Sequence, residues 1–159
     1  MFYYFAYGSN MDEEDLRIWC KEKYKPFPNW NLLGSACLEN FQLVFNYYSS
    51  GRKGGAANLM ENSNHKVYGL LLEMNEGDRD TIRTKEGSPN YYEEIIVPVM
   101  YGANCITNVI TYKVTKAKEK IEHQKPSKLY MNLILKNARG NNFPNEYIRY
   151  LESFETQQN

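Results

Sequence analysis

Two short segments of the chain carry residue types that can do chemistry, and the first is Tyr7-Gly8-Ser9-Asn10. The glycine lets the chain bend after an apolar stretch, and Ser9 and Asn10 are residue types that begin helices. Backbone N–H groups at a strand-to-helix junction can bind an anion, and a substrate carboxylate is the natural guest. The acidic residues at 12–15 already complement the dipole of the next helix. Spacing alone therefore favours an ordinary capped turn over a binding site.

The second segment is centred on Glu86. This residue precedes a glycine at the end of a short helical pattern, and Tyr91 and Tyr92 follow it. A carboxylate at the end of an element, walled by aromatic rings, can have a raised pKa and act as a general base. A surface glutamate would show the same spacing, so the segment by itself leaves both interpretations open.

Other catalytic arrangements find less support. Ser9 does not lie in the Gly-x-Ser-x-Gly pattern of a nucleophile elbow. His65 and His123 lie in polar segments that we expect to be exposed, which disfavours a serine or cysteine triad. Possible metal ligands are not clustered, and residues 51–55 lack the spacing of a phosphate-binding loop. We therefore predict no metal site.

The composition is typical of one globular domain. The chain has 159 residues, of which 42% are hydrophobic and 24% charged. Nineteen Lys and Arg residues balance nineteen Asp and Glu residues, whereas binders of nucleic acids or membrane surfaces are normally basic. No apolar run approaches the roughly 20 residues of a membrane helix. We expect a single domain over residues 1–159 that binds neither nucleic acid nor membrane.

Cysteine usage and the N-terminal residues favour a reduced, cytoplasmic protein. Cys20, Cys37 and Cys105 are odd in number and far apart, and no Cys-x-x-Cys pair occurs. The apolar N-terminal stretch has no basic region and is followed by acidic residues, so we do not expect it to be a signal peptide. The 14 tyrosines suit a half-hydrated pocket and β-strands equally well.

Hydrophobic periodicity and turn residues predict the elements that must position the two segments. Strands are predicted over 2–7, 36–48, 56–60, 67–74, 91–101 and 105–114, and helices over 11–23, over 78–85, from Ser127 to Gly140 and from Pro144. Loops are predicted over 26–34 and 49–55, with an Asn-rich turn after residue 60. The six lysines of residues 113–128 indicate a solvated connection rather than a phosphate-binding patch. The element order predicts an α+β fold with a mixed, largely antiparallel sheet that can close into a small β-barrel.

Several segments, in order along nearly the whole chain, resemble the gamma-glutamylcyclotransferase family, which includes AIG2-like and gamma-glutamylamine cyclotransferase proteins. The opening segment Tyr4-Phe5-Ala6-Tyr7-Gly8-Ser9-Asn10-Met11 is similar to the family's first signature. The further similar segments are Gly54–Ala57, Val67–Leu71, Glu86-Gly87 followed by Tyr92, a looser match around Tyr112, and Pro126–Phe154 with Tyr130. The resemblance implies a small β-barrel with flanking helices.

The resemblance also implies an activity. In the family, the α-amino group of a γ-glutamyl compound attacks its own γ-carbonyl, so that 5-oxoproline forms and an amine or amino acid leaves. This chemistry uses no metal, no cofactor and no covalent enzyme intermediate. By correspondence, Glu86 is the catalytic acid and base. The implied substrate-binding residues are Tyr7, Gly8, Ser9, Asn10, Tyr92 and Tyr130, and the loosely matched Tyr112 is a further candidate.

Two other functions stay open at this point. The same fold can serve as a non-catalytic module that binds a small carboxylate, although Glu86 argues against it because a binder does not need that carboxylate. A tyrosine-rich barrel that stacks nucleic-acid bases is a more remote alternative, which the zero net charge disfavours. The expected partner is a small γ-glutamyl molecule, and the protein is expected to be a monomer or a homodimer.

Overall fold

Five strands close into a barrel, and four helices flank it. The computed structural model describes residues 1–158. The strands are β1 (Phe2–Ala6), β2 (Asn31–Ser49), β3 (Gly54–Met74), β4 (Tyr92–Tyr101) and β5 (Asn104–Val114). The α-helices are α1 (Glu13–Glu22), α2 (Arg79–Glu86), α3 (Lys128–Gly140) and α4 (Asn145–Glu152), with 3₁₀ turns at Ser9–Met11, Glu76–Asp78 and Lys116–Lys118.

The strand order around the barrel is β1-β3-β2-β4-β5, and β5 returns to pair with β1. Only the β1–β5 pairing is parallel among the described residues, with Tyr3 opposite Val109, and the other pairings are antiparallel. This confirms the predicted α+β fold with a mixed, largely antiparallel sheet and a small barrel. Every strand has a partner on both sides, and the strand pairing that joins β2 to β4 is the single pair of Cys37 and Met100.

Alternation of side chains along the strands fills the barrel interior. Phe5, Leu43, Leu59, Leu71 and Val109 are all fully buried. Successive side chains of a strand point to opposite faces, so apolar residues at every second position share one interior. The predicted alternation of Phe41, Leu43 and Phe45 places Leu43 and Phe45 in this core, with Phe41 half-buried beside it.

Three boundaries differ from the sequence predictions. The strands predicted over 56–60 and 67–74 are one continuous strand, β3. In place of the predicted Asn-rich turn, the pairing of β3 with β2 shifts register opposite residues 39–41, and Asn64 has a φ of 70°. The loop predicted over 26–34 ends earlier, because β2 begins at Asn31 and pairs with Glu73. The N-cap of α1 is Asp12, whose carboxylate accepts a hydrogen bond from the Asp15 N–H. Ser9 and Asn10, the predicted caps, instead form the 3₁₀ turn before the helix.

The remaining elements largely follow the local signals. The Ser127 hydroxyl caps α3, and Gly87 ends α2 in the left-handed conformation with a φ of 66°. The hairpin of β4 and β5 forms as predicted, and its pairing register shifts at Pro98, which has no N–H for the ladder. Pro144 lies at the N-cap of α4 rather than at its first helical position. No helix in the described part of the chain is long and apolar enough to cross a membrane.

The lysine-rich segment before α3 runs as a strap across the hairpin of β2 and β3. The N–H groups of Lys120 and Gln124 donate to the carbonyls of Asn46 and Phe45, and the Gly55 N–H donates to the Lys125 carbonyl. A Cβ added to Gly55 would lie 1.8 Å from the Gln124 carbonyl oxygen. The glycine pair at the start of β3 therefore has a packing role, because it lets the strap approach the strand.

We expect Gly55→Ala to lower the free energy of unfolding by at least about 2 kcal/mol, because a methyl group cannot fit against the strap backbone. Chemical denaturation of the two proteins measures the effect. Gly77→Ala is the matched control, since no atom lies within 4 Å of its added Cβ. A Gly55→Ala protein as stable as this control would show that the strap is not held closely against β3.

Candidate active site

A pocket of about 310 Å³ opens at one end of the barrel, and it is rich in tyrosine. Six buried or half-buried tyrosines line it, from five elements and the end of β1, and they are Tyr4, Tyr7, Tyr47, Tyr92, Tyr112 and Tyr130. Glu86 lies among them at the last residue of α2. The charged residues of the lining also include Asp15, Glu22, Arg52 and Lys85.

Local structure at the end of α2 aims Glu86 into this pocket. The Gly87 N–H donates to the Thr84 carbonyl, and the left-handed φ of Gly87 turns the chain away from the helix. A Cβ on Gly87 would lie 2.8 Å from the Tyr91 ring. Helix α2 therefore stops directly after Glu86, as the sequence predicted.

The carboxyl group of Glu86 is half-buried and accepts a hydrogen bond from Asn10. The distance from Asn10 Nδ2 to Glu86 Oε1 is 2.6 Å. Burial raises the pKa of Glu86 to about 7, although the positive charges of Lys85 and Arg52 oppose this shift. A carboxyl group with this pKa can both take up and release a proton near neutral pH.

A small charge network lies beside Glu86. The Arg52 guanidinium donates two hydrogen bonds to the Asp15 carboxylate, at 2.9 and 2.6 Å. Lys85 Nζ donates to Asp15 Oδ2 at 3.2 Å and also to the side-chain oxygen of Asn10. These contacts hold the pKa of Asp15 below its usual value, although burial alone would raise it. Asp15 is therefore the anion of the network and Glu86 is the group able to change its charge.

The hydroxyl groups of Tyr92 and Tyr130 are fixed on one residue of β3. Tyr92 donates to the Ala57 carbonyl at 2.8 Å, and Tyr130 accepts from the Ala57 N–H at 3.1 Å. The Tyr130 hydroxyl thus keeps its own hydrogen for a molecule in the pocket. Burial raises the pKa of Tyr130 to about 12, so this group is a neutral donor. A Cβ on Gly8 would lie 3.3 Å from that hydroxyl oxygen, which makes the first loop and Tyr130 close neighbours.

Tyr7 and Tyr112 are tied to the barrel instead. The Tyr7 hydroxyl donates to the Tyr112 carbonyl at 2.6 Å, and the Tyr112 hydroxyl donates to Glu94 at 2.8 Å. Arg79 and Arg83 also donate to Glu94. Although burial opposes them, these three donors lower the pKa of Glu94 to about 2. Glu94 is therefore a permanent anion and does not compete with Glu86 as a base.

The structure brings together every residue that the sequence singled out as a site candidate. The residues predicted to act or bind are all in the pocket lining: Tyr7, Gly8, Ser9, Asn10, Glu86, Tyr92 and Tyr130. Tyr112 lines it as well. Their roles stay predictions. His65 and His123 are exposed, and no group of three or more His, Cys, Asp or Glu side chains within residues 1–158 is arranged to hold a metal ion.

Sequence reasoning missed several residues of the site, among them Tyr4, Asp15, Arg52 and Lys85. Asp15 was one of several acidic residues after the first loop, and Arg52 lay in a turn with an ordinary structural explanation. Their significance comes from pairing across the fold, because Lys85 and Asp15 are 70 positions apart in the chain. The only local signal was the position of Lys85 next to Glu86.

The fold and the pocket define a class of protein: a small mixed β-barrel that holds one protonatable carboxyl group in a tyrosine-lined cavity. Comparison with known proteins narrows this class. The model of the AIG2-like family matches residues 66–151. The gamma-glutamylcyclotransferase of Bos taurus is 30% identical over 159 residues, which cover 97% of this chain and 79% of the relative.

The Homo sapiens gamma-glutamylcyclotransferase is 29% identical over 160 residues, with the same coverage of both chains. A solved structure of a gamma-glutamyl cyclotransferase matches with a TM-score of 0.84 and 26% sequence identity, and the match covers 99% of this chain and 90% of that chain. The chain belongs to the AIG2-like, gamma-glutamylcyclotransferase family. The family resemblance noted in the sequence is confirmed.

The raised pKa of Glu86 has a consequence for stability. Between about pH 4.5, the ordinary value, and about pH 7, the folded protein holds a proton that the unfolded chain has lost. Folding stability therefore falls as the pH rises through this window. We expect Glu86→Gln, which cannot ionise, to be more stable than the parent at pH 8 by on the order of 1–3 kcal/mol.

The difference in the free energy of unfolding between Glu86→Gln and the parent should shrink to near zero at pH 4.5. Urea denaturation at both pH values measures it, and Glu61→Gln, an exposed glutamate on β3, is the matched control with no such difference expected. Equal stabilities of Glu86→Gln and the parent at pH 8 would show that burial does not raise the pKa of Glu86.

Proposed function

We propose that this protein is a gamma-glutamyl cyclotransferase, which converts a γ-glutamyl amino acid or γ-glutamyl amine to 5-oxoproline and the free amine. The observation that carries the proposal is Glu86, a carboxyl group with a pKa near 7. It lies in the same pocket as the Tyr130 hydroxyl, whose hydrogen is available to a bound molecule. The reaction needs one group that first removes protons from an ammonium and then supplies them to a leaving nitrogen. Membership of the family supports the same conclusion.

In this proposal the first loop binds the substrate's α-carboxylate. The 3₁₀ turn Ser9–Met11 begins at the pocket, and the first N–H groups of a helical turn have no acceptor within the turn itself. Gly8 has no side chain to obstruct the approach of a ligand to this backbone. Tyr7, whose hydroxyl is tied to β5, is the wall that fixes the start of the loop.

Glu86 is the proposed base and acid. Its carboxylate removes a proton from the α-ammonium, and the resulting amine attacks the γ-carbonyl carbon to form the ring C–N bond. The bond from the γ-carbon to the leaving nitrogen then breaks. The attacking nitrogen loses two protons in all, and both are delivered to the leaving nitrogen, which departs as an ammonium. A positioned acid and base of this kind contributes about 10²–10⁴-fold to the rate.

Tyr92 and Tyr130 are the proposed orienting groups. The free hydrogen of the Tyr130 hydroxyl is available to a substrate oxygen, and Tyr92 is held in place through Ala57. Because the γ-glutamyl chain is flexible, holding it with its amine against its own carbonyl contributes several kcal/mol through proximity. No covalent enzyme intermediate is required in this scheme.

The first experiment is a search for 5-oxoproline by mass spectrometry after incubation with γ-glutamyl-alanine, γ-glutamyl-ε-lysine, γ-glutamyl-putrescine and glutathione. We expect release from at least one of them, and a loss of at least about 100-fold in Glu86→Gln because an amide cannot shuttle protons. Glu61→Gln again serves as the control and should retain parent activity. Release that persists within tenfold in Glu86→Gln would rule out Glu86 as the essential base, and binding of 5-oxoproline without turnover of any compound would favour a carboxylate-binding module.

The pH dependence of the reaction gives an independent test. Because the base must be ionised, kcat/KM should rise with pH through a midpoint near 7 and fall tenfold per pH unit well below it. Initial rates at low substrate concentration between pH 5 and 9 measure this profile. A rate that is constant from pH 5 to 8 would contradict Glu86 as the base.

A further inference from the structure

Lys85 is a buried lysine that the proposed reaction does not use. Its side chain is only 7% exposed. Its ammonium group donates to three acceptors, which are the side-chain oxygen of Asn10, the Asp15 carboxylate at 3.2 Å and the Ser9 hydroxyl at 3.4 Å. Burying a lysine is costly, which its lowered pKa reflects, so such a complete set of partners indicates a role beyond packing.

The ammonium group decides which way the Asn10 amide faces. A lysine ammonium has hydrogen-bond donors only, so Asn10 must present its oxygen to Lys85. The nitrogen of the amide then faces the opposite side, where it donates to Glu86 at 2.6 Å and to the Tyr4 hydroxyl at 2.9 Å. An amide without this constraint can rotate by half a turn and exchange the two atoms.

The orientation of this amide matters for the charge of Glu86. A donor facing a carboxyl group favours its ionised form, whereas an amide oxygen in the same place favours the protonated form, which can donate to it. Lys85 therefore acts on the Glu86 carboxyl group through the amide of Asn10.

We propose that Lys85 is a positioning residue, which holds the Asn10 amide with its nitrogen toward Glu86 and thereby keeps Glu86 able to accept a proton. The effect of Lys85 on turnover rests on the proposed function above. The orientation of the Asn10 amide and its effect on the titration of Glu86 are independent of that function.

Other groups also face Glu86, and one of them shares the Asp15 carboxylate with Lys85. Arg52, which Asp15 holds, is the second cation that lowers the pKa of Glu86. The tyrosines around the carboxyl group have raised pKa values and are neutral, and they come from β1 and its end, β4, β5 and α3: Tyr4, Tyr7, Tyr92, Tyr112 and Tyr130. Within residues 1–158 no hydrogen bond joins Arg52 to Asn10, so Arg52→Gln removes a charge while Lys85 still holds the amide.

The decisive comparison is therefore Lys85→Met against Arg52→Gln, each in the full chain. Each variant removes one positive charge near Glu86, but only the first releases the Asn10 amide, and methionine fills the volume of the lysine stem. The titration of the Glu86 carboxyl carbon is followed by NMR in protein labelled with ¹³C glutamate. We expect the midpoint in Lys85→Met to lie at least about one pH unit above the midpoint in Arg52→Gln. The proposal would be overturned by equal Glu86 midpoints in the two variants, or by a midpoint in Lys85→Met that is no higher than in the parent protein.

The kinetic profile separates positioning from a general structural role. In Lys85→Met the acidic limb of kcat/KM should move to higher pH by the same amount as the NMR midpoint, and the rate should recover toward the parent value at high pH. A rate lowered by the same factor at all pH values would show a structural role instead. If no γ-glutamyl compound is turned over while the NMR midpoint still rises, the proposed function fails and the positioning role stands.

Measurement of the unaltered protein covers the case in which Lys85→Met does not fold. The side-chain NH₂ protons of Asn10 should show nuclear Overhauser contacts to the Tyr4 ring, and their chemical shifts should titrate with the Glu86 midpoint. Absence of these contacts, or NH₂ shifts that do not follow Glu86, would place the amide the other way round and refute the role of Lys85.

Discussion

The site depends on one tension, which is the burial of a carboxyl group that must still ionise. Burial raises the pKa of Glu86 to about 7, and the positive charges of Lys85 and Arg52 limit that rise. The hydrogen bond from Asn10 gives the ionised form a partner that water would otherwise supply. With less burial Glu86 would be an ordinary anion, and without the opposing groups it would stay protonated. The pocket sets Glu86 between these limits, where proton transfer in both directions is possible.

The barrel provides the rigidity that this balance requires. Strand β1 pairs with β3 on one side and β5 on the other, so the residues at its end have little freedom. The 3₁₀ turn with Asn10 follows β1 directly, and Glu86 ends a helix that Gly87 stops. Ala57 on β3 holds the hydroxyl groups of Tyr92 and Tyr130. Groups held within about 0.5 Å of their working positions are typical of catalytic sites on such elements.

Two glutamates on neighbouring elements illustrate how the environment assigns charge. Glu94 on β4 receives hydrogen bonds from two arginines and Tyr112, and its pKa falls to about 2. Burial raises the pKa of Glu86, which receives only one hydrogen bond, from a neutral amide. The structure thus separates a permanent anion, which braces the barrel wall, from a carboxyl group that can exchange protons. The residue type is the same, and the difference lies in the burial of the carboxyl group and in the number and charge of its donors.

The sequence by itself determined the parts that depend on neighbours along the chain. These include the strand before Gly8, the end of α2 at Gly87, the cap at Ser127 and the α+β fold, because each follows from local periodicity or from one residue's backbone preference. It did not determine the continuity of β3, since the pairing with β2 carries that strand through a segment rich in turn residues. Nor did it determine the network of Asp15, Arg52 and Lys85 or the different charges of Glu86 and Glu94. Only the tertiary structure decided these, because electrostatic interaction and desolvation act through space between residues that are far apart in the chain.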